Sequence, residues 1–218
     1  MKKQFGVIGL GRFGTSVARN LEKLGYPVLA IDKNAENVEQ VKDYVSFADI
    51  VDATNPEALD ASGIKNCDTV VVAVGDVESS ILISLILEEL GVVNIIAKAA
   101  SDIHERVLKK IGVKEVVFPE ADMGFRVANK LTSANILDYI EITPGVDLIE
   151  YIATKKLSGK NLKELALRNR FGINVIAINK GNEVIVSPSA EDVIEEGADL
   201  FIVGKTEDIY EFKKEFEA

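Results

Sequence analysis

The chain has 218 residues, with 25 Lys and Arg against 35 Asp and Glu, a net charge of −10 and a pI near 4.8. That balance excludes a nucleic-acid partner held by bulk electrostatics, which needs a basic face, and it disfavours an anionic membrane surface. The apolar fraction of 47% is that of a globular chain and excludes a disordered one.

One cysteine, Cys67, cannot form an internal disulfide, so a cytoplasmic compartment is expected. The longest mostly apolar stretch, Ile81 to Leu87, stops at Glu88-Glu89; crossing a bilayer takes about 20 apolar residues. With a single histidine and a single cysteine the chain lacks the raw material for a Cys/His zinc site or for a Ser-His or Cys-His machine with spare parts.

In chain order, β-rich runs alternate with amphipathic ones. Strands are expected at Phe5–Leu10, Pro27–Ile31, Val45–Ile50, Thr69–Val74, Asn94–Ala97 and Glu115–Phe118. The intervening helices are expected at Phe13–Leu24, Glu36–Lys42, Pro56–Ala61, Ser79–Leu90 and Ile103–Ile111, several ending at a glycine placed as a cap (Gly25, Gly63, Gly91, Gly112). Continuously apolar runs such as Val70–Val74 suit strands covered on both faces. The rhythm predicts a Rossmann-like, doubly wound parallel α/β sheet.

A longer helix is expected from Glu120 to about Leu137, after which the grammar changes. Strand-like runs at Tyr139–Thr143, Leu148–Thr154, Ile173–Ile178, Glu183–Ser187 and Leu200–Val203 come with helices only at Leu162–Arg168 and Glu207–Phe216. This predicts a second, smaller α+β domain, with the two domains spanning residues 1–137 and 138–218. Through Leu137 there are 15 basic and 19 acidic residues, and beyond it 10 and 16, so the smaller domain is the more acidic per residue.

Gly9-Leu10-Gly11-Arg12-Phe13-Gly14 follows a strand and opens a helix, and the next strand ends in Ile31-Asp32. That is a dinucleotide-binding fingerprint: Gly9 for the tight turn, Gly11 for close approach of a phosphate, Gly14 for helix packing. Asp32 is placed to accept from an adenosine ribose and to repel a 2′-phosphate, although Lys33 beside it weakens that exclusion; its alternative role is to cap the next turn. Asp52-Ala53-Thr54 and Val74-Gly75-Asp76 follow strands three and four at the same carboxyl edge, where small residues let backbone pass close to an adenine.

Arg12 opposes the helix dipole, which asks for an anion such as a terminal phosphate; the alternative is a guanidinium swung into solvent. Lys98 and Glu120 also fall at the ligand edge, Lys98 to neutralise phosphate and Glu120 either to hold a cation or simply to stabilise a helix start. His104, among Asp102, Glu105 and Arg106, is expected to be a solvated surface histidine, and Asp199, Glu191-Asp192 and Glu195-Glu196 a solvated acidic face.

The glycine loop, Asp52-Ala53-Thr54, Val70–Gly75, Ile96-Ala97-Lys98-Ala99, Phe118-Pro119-Glu120-Ala121-Asp122-Met123-Gly124 and the segment from Ser187-Pro188 to Gly204 together resemble the Trk/Ktr potassium-uptake regulators, closest to the single-unit Ktr type of the RCK domain family. The resemblance covers essentially the whole chain. It implies a cytoplasmic, non-catalytic regulatory subunit at the inner face of the plasma membrane. Dimers of it would assemble into an octameric ring under an integral-membrane potassium channel or transporter of the KtrB/TrkH-like kind.

The resemblance further implies that Arg12 meets the γ-phosphate of ATP, that Asp32 and Asn34 hold the ribose, and that Glu120 contributes to a site for a divalent cation or Na+. ATP and ADP would then select different ring shapes. It also implies a second ligand, cyclic di-AMP, on the smaller domain, with Arg168, Asn174 and Pro188 in the corresponding region. The reading from another class, an NAD(H)-dependent oxidoreductase or an NADH-sensing regulator, shares the fingerprint and Asp32. An oxidoreductase also needs a positioned acid or base, and the C-terminal stretch holds no histidine.

Overall fold

The computed structural model describes residues 2–217, which divide between Pro119 and Glu120 into two compact units. The first alternates strands β1 (Phe5–Ile8), β2 (Val28–Asp32), β3 (Phe47–Ile50), β4 (Thr69–Val72), β5 (Ile95–Lys98) and β6 (Glu115–Val117) with helices α1 (Arg12–Lys23), α2 (Ala35–Glu39), α3 (Pro56–Ala61), α4 (Val77–Glu89) and α5 (Asp102–Ile111). The six strands are parallel in the order β3-β2-β1-β4-β5-β6, with the order reversing at β1/β4. Such a reversal opens a crevice at the carboxyl ends of the strands.

The central strands feed two cores, one on each sheet face. Ile8, Val70 and Val72 join a cluster with Leu59, Ile83 and Leu87, whereas Val7 and Val71 join Ala18, Val38 and Val41 on the other side. That is why the central strands are apolar at every position instead of alternating. The expected glycine caps all adopt positive φ, Gly112 closing α5 with its N–H donated to Leu108 and Lys109 carbonyls.

The second unit carries α6 (Pro119–Leu131), β7 (Ile136–Thr143), β8 (Val146–Ile152), α7 (Leu162–Leu165), α8 (Leu167–Phe171), β9 (Asn174–Asn179), β10 (Val184–Val186), β11 (Asp199–Lys205) and α9 (Thr206–Phe216). Its five strands are antiparallel in the order β10-β9-β11-β8-β7. The core is aromatic: Tyr151 meets Phe212 edge-on at 5.1 Å between centroids, and Phe171 and Phe216 close around the same Phe212 ring. The chain is therefore a Rossmann-like parallel sheet domain followed by a smaller antiparallel one.

Three expectations differ in detail. The helix after Pro119 ends at Leu131, short of Leu137: Thr132 Oγ1 donates to the Asn129 carbonyl and Ser133 Oγ accepts from Asn135 N–H, local bonds that replace the helical ladder. By Cα proximity α6 groups with the second unit, whereas the sequence-based boundary lies after it, at 137/138. The helix expected over Leu162–Arg168 is two short ones, α7 and α8, broken where Ala166 takes a left-handed conformation at φ 46°.

A cleft at the carboxyl edge of the parallel sheet

The glycine loop is tied down on both sides. Gly9 N–H donates to the Ile31 carbonyl at 2.8 Å, and Ala73 N–H donates to the Ile8 carbonyl at 2.7 Å. Gly9 has φ 91°, and a Cβ on Gly14 would fall 1.9 Å from the Gly9 carbonyl oxygen, so both glycines are required by the packing of α1 on the turn. Gly11 is different. Its backbone is extended (φ −70°, ψ −170°), which any residue adopts, and nothing lies within 4 Å of where its Cβ would be. Gly75, across the cleft, likewise has no neighbour there.

The N-terminus of α1 is also unlike those of its neighbours. Asn34, Asn55, Asp76 and Ser101 cap α2, α3, α4 and α5 with their side chains, but Gly11 gives α1 no side-chain cap and its first turn has no acidic residue. Its first amides are left for something else to satisfy. Arg12 is the first residue of α1 and exposed; among the described residues it makes no ion pair. Leu10 is buried, and Phe13 packs against the core under α1.

Between the loops after β1, β2, β3 and β4 lies a cleft of about 260 Å³ whose walls include Gly9, Gly11, Asp32, Lys33, Val74 and Gly75, with Asp52, Ala53 and Thr54 beside them. These are nine of the residues marked in the sequence. Asp52 accepts from both the N–H and the hydroxyl of Thr54, and this pair of bonds, with Lys33 nearby, holds its carboxyl below the usual range. Asp76 is held down in the same way by Ser79. The anchored Asp52 and Lys33 therefore both line the cleft, whereas Asp76 lies outside its walls and is bonded to the wall residue Ser79.

Asp32 is already heavily engaged. It accepts from Leu10 N–H at 2.6 Å, Asn34 N–H at 2.8 Å and Asn37 Nδ2 at 3.1 Å, so it joins the glycine loop to the start of α2. The Asn34 side chain caps α2 by accepting from Glu36 N–H at 2.8 Å and does not line the cleft; Asn37 does. Ser79 and Ile83 of α4 complete the wall and floor. Asn37 and Ser79 were not singled out in the sequence, although Asp76 followed three residues later by Ser79 is a capping pattern. Lys98 ends β5, outside the walls of this cleft, and Glu120 falls in the first turn of α6 in the second unit.

His104 corrects its expectation. It is 2% exposed, because α5 turns positions 104 and 108 together toward the core. Its Nδ1 accepts from Ala100 N–H at 3.2 Å, and Nε2 is buried without a partner. Burial lowers its pKa from the usual 6.5, and its place in the first turn of a helix disfavours a cation further. The unfolded chain then binds the proton more readily than the folded one, so His104 contributes stability above about pH 6.5 that is lost as pH falls toward the folded value. Denaturant titrations at pH 7.5 and 5.5 should show wild type losing more stability than His104→Gln, by no more than about 1.4 kcal/mol per pH unit.

In the second unit, Arg168, Asn174 and Pro188 line one cleft of about 390 Å³, together with Lys163 and Asn169. Of the acidic cluster, Glu191 pairs with Lys163 at 3.2 Å and Glu195 with Lys180 at 2.8 Å. No helix among the described residues is long and apolar enough to cross a membrane.

Comparison with known proteins agrees with this architecture. The TrkA-N domain family matches residues 5–119 and the TrkA-C domain family residues 149–217. The chain is 44% identical over 215 residues to Ktr system potassium uptake protein C of Bacillus subtilis, covering 98% of this chain and 97% of that one. It is 40% identical to protein A of the same system in that organism (98% and 96% covered) and 37% identical to protein A of Vibrio alginolyticus (93% and 92%).

Among solved structures, the GsuK RCK domain superposes at TM-score 0.54 with 24% identity, over 97% of this chain and 46% of that one. The TrkA-N domain of the Escherichia coli inner membrane protein ybaL does so at 0.53 with 18% identity, over 60% and 97%, and both are likenesses of fold. With a TrkA-N and a TrkA-C domain in that order and full-length identity above 40%, the chain belongs to the Trk/Ktr potassium-uptake protein family.

Proposed function

We propose that the chain is a nucleotide-sensing regulatory subunit of a potassium channel or transporter, with ATP and ADP as the ligands of the 260 Å³ cleft. The observation that carries the reading is Gly11: neither its dihedrals nor its packing needs a glycine, the space beside it is open to a ligand, and among the described residues of the first unit it precedes the one α-helix without a side-chain cap. Phosphates at that N-terminus would satisfy the open amides and offset the charge of Arg12. The relatives are named as potassium uptake proteins, which supports the regulatory role over a catalytic one.

A ligand shifts a conformational equilibrium only through differential affinity for the two states. The γ-phosphate is the difference between ATP and ADP, and Arg12 is the group in this chain for it to meet. Lys98 adds positive charge at the edge of the sheet. Glu120 would contribute one carboxylate to a site for a divalent cation or Na+. Asn34 enters this reading as the cap that sets the start of α2 beside the ribose rather than as a direct contact.

Self-assembly, to an octameric ring of dimers, is part of the same reading. It is supported by α6, which buries no residue fully and exposes Met123, Phe125, Val127 and Leu131. The ring would lie in the cytoplasm against the inner face of the membrane, beneath its integral-membrane partner. Residues 1–137 and 138–218 remain the proposed functional division, the first for nucleotide and the second for a further ligand. For that ligand we favour cyclic di-AMP in the 390 Å³ cleft, since Arg168, Asn174 and Pro188 meet there, a guanidinium, an amide and an apolar ring suited to phosphate and purine.

The test is a thermal-shift titration of the purified chain with ATP, ADP, NADH and AMP, with and without Mg²⁺. ATP should raise Tm more than ADP, and Arg12→Ala should abolish that difference while leaving the ADP shift in place. Strong stabilisation by NADH with no response to ATP would favour the oxidoreductase or NADH-sensor reading, and turnover of a carbonyl substrate would establish the former. Light scattering that finds a stable monomer would remove the ring.

A further inference from the structure

Asp32, the acidic residue of the fingerprint, has little capacity left for a ligand. A carboxylate offers about four acceptor positions. Three are taken by Leu10 N–H, Asn34 N–H and the Asn37 amide, the first and third on Oδ2 and the second on Oδ1. Asp32 alone can therefore take one more donor, on Oδ1. A ribose presents two vicinal hydroxyls, and the second needs another acceptor.

Asn37 is built to supply it. A carboxylate only accepts hydrogen bonds, so the Asn37 amide must turn its NH₂ toward Asp32, which fixes the amide orientation and presents Oδ1 as an acceptor. Among the described residues no donor reaches Asn37 Oδ1, and Asn37 lines the cleft beside Asp32 and Lys33. The residue is half-buried, and α2 is anchored by the buried Val38 next to it, so the amide sits on a packed element.

We infer that Asn37 is a ligand-contacting residue for the cis-diol of a ribonucleoside, its Oδ1 accepting from one ribose hydroxyl while Asp32 Oδ1 accepts from the other. The two residues form a pair of acceptors suited to an unmodified ribose: each hydroxyl must be present to donate, and a 2′-phosphate would meet two acceptors, a repulsion that Lys33 beside them offsets only in part. Asn37 also positions Asp32 through the hydrogen bond that its Nδ2 donates to Oδ2. This inference rests on the nucleotide reading above and adds the residue that discriminates the sugar.

The experiment measures binding of ADP, 2′-deoxy-ADP and 3′-deoxy-ADP to the full chain by calorimetry, for wild type and Asn37→Ala. Wild type should bind each deoxy analogue about five- to tenfold more weakly than ADP, the size of one lost hydrogen bond in a partly closed site. In Asn37→Ala one of those two penalties should disappear and the other, belonging to Asp32, should persist. Because the readout is a ratio within one protein, a general loss of affinity or stability in the variant cancels, and a melt on the same sample checks its fold. Asn37→Ala retaining both penalties would overturn the inference while leaving the nucleotide reading intact. Wild type binding ADP with no penalty for either analogue would overturn it as well. A wild type that binds none of the three overturns the ADP reading and this inference together.

Discussion

Gly11→Val should reduce ATP and ADP binding by about a hundredfold or more while leaving the melting temperature of the ligand-free protein within about 2 °C of wild type. The asymmetry follows from the geometry. No protein atom lies within 4 Å of the added Cβ and the backbone is extended, so the folded chain accommodates the side chain. A phosphate that approaches the amides of the α1 N-terminus would collide with it, and overlap of a branched side chain with a bound group is not relieved by small shifts. Gly14→Val, in contrast, should lower the stability of the free protein itself, because its Cβ falls on the Gly9 carbonyl. Melts with and without nucleotide separate the two. Equal ADP binding by Gly11→Val and wild type would remove the glycine loop as the phosphate site.

Phe212→Ala should destabilise the second unit by about 3–5 kcal/mol, the usual cost of emptying a buried phenylalanine site. Phe212 is fully buried, meets Tyr151 at 5.1 Å and Phe216 at 5.1 Å, and holds α9 against the sheet. Few rearrangements can refill the space, since its neighbours are themselves large rings fixed by one another. The first unit has its own two clusters, Ile8 to Val113 and Val7 to Val71, which share no residue with this core. Chemical denaturation should therefore show a transition for the second unit moved to lower denaturant while the nucleotide-dependent transition keeps its midpoint. A single transition that shifts as a whole would mean that the two units unfold as one.

Much of the cleft is legible in the chain because its logic is local. A glycine at φ 91° beside a strand end, a second for phosphate access and a third under a helix fall within six residues, and the acidic residue lies at the end of the following strand. The carboxyl-edge loops carrying Asp52-Ala53-Thr54 and Val74-Gly75 follow from the parallel order of the strands, and the alternation of apolar runs with amphipathic ones makes that order readable. The α+β character of the second unit is legible for the same reason, as strands there follow one another without regular crossovers, whereas its wholly antiparallel order comes from the structure.

What the chain does not display is which of several polar side chains a bond has already claimed. The resemblance implies Asn34 as a ribose contact, yet the start of α2 uses the Asn34 side chain as its cap, and it is Asn37 that lines the cleft. His104 reads as solvated from its charged neighbours, but its helical phase is set by Leu108 and the sheet beneath. Ala166 looks like good helix, yet it takes a left-handed turn between Leu165 and Leu167, both buried in one core. Periodicity and glycine placement therefore determine the fold class and the position of the phosphate loop, because they express backbone and hydrophobic constraints that act over a few residues. Which polar atom remains available for a ligand is decided only when distant segments meet, because each hydrogen bond made in folding removes a donor or acceptor from that ligand's reach.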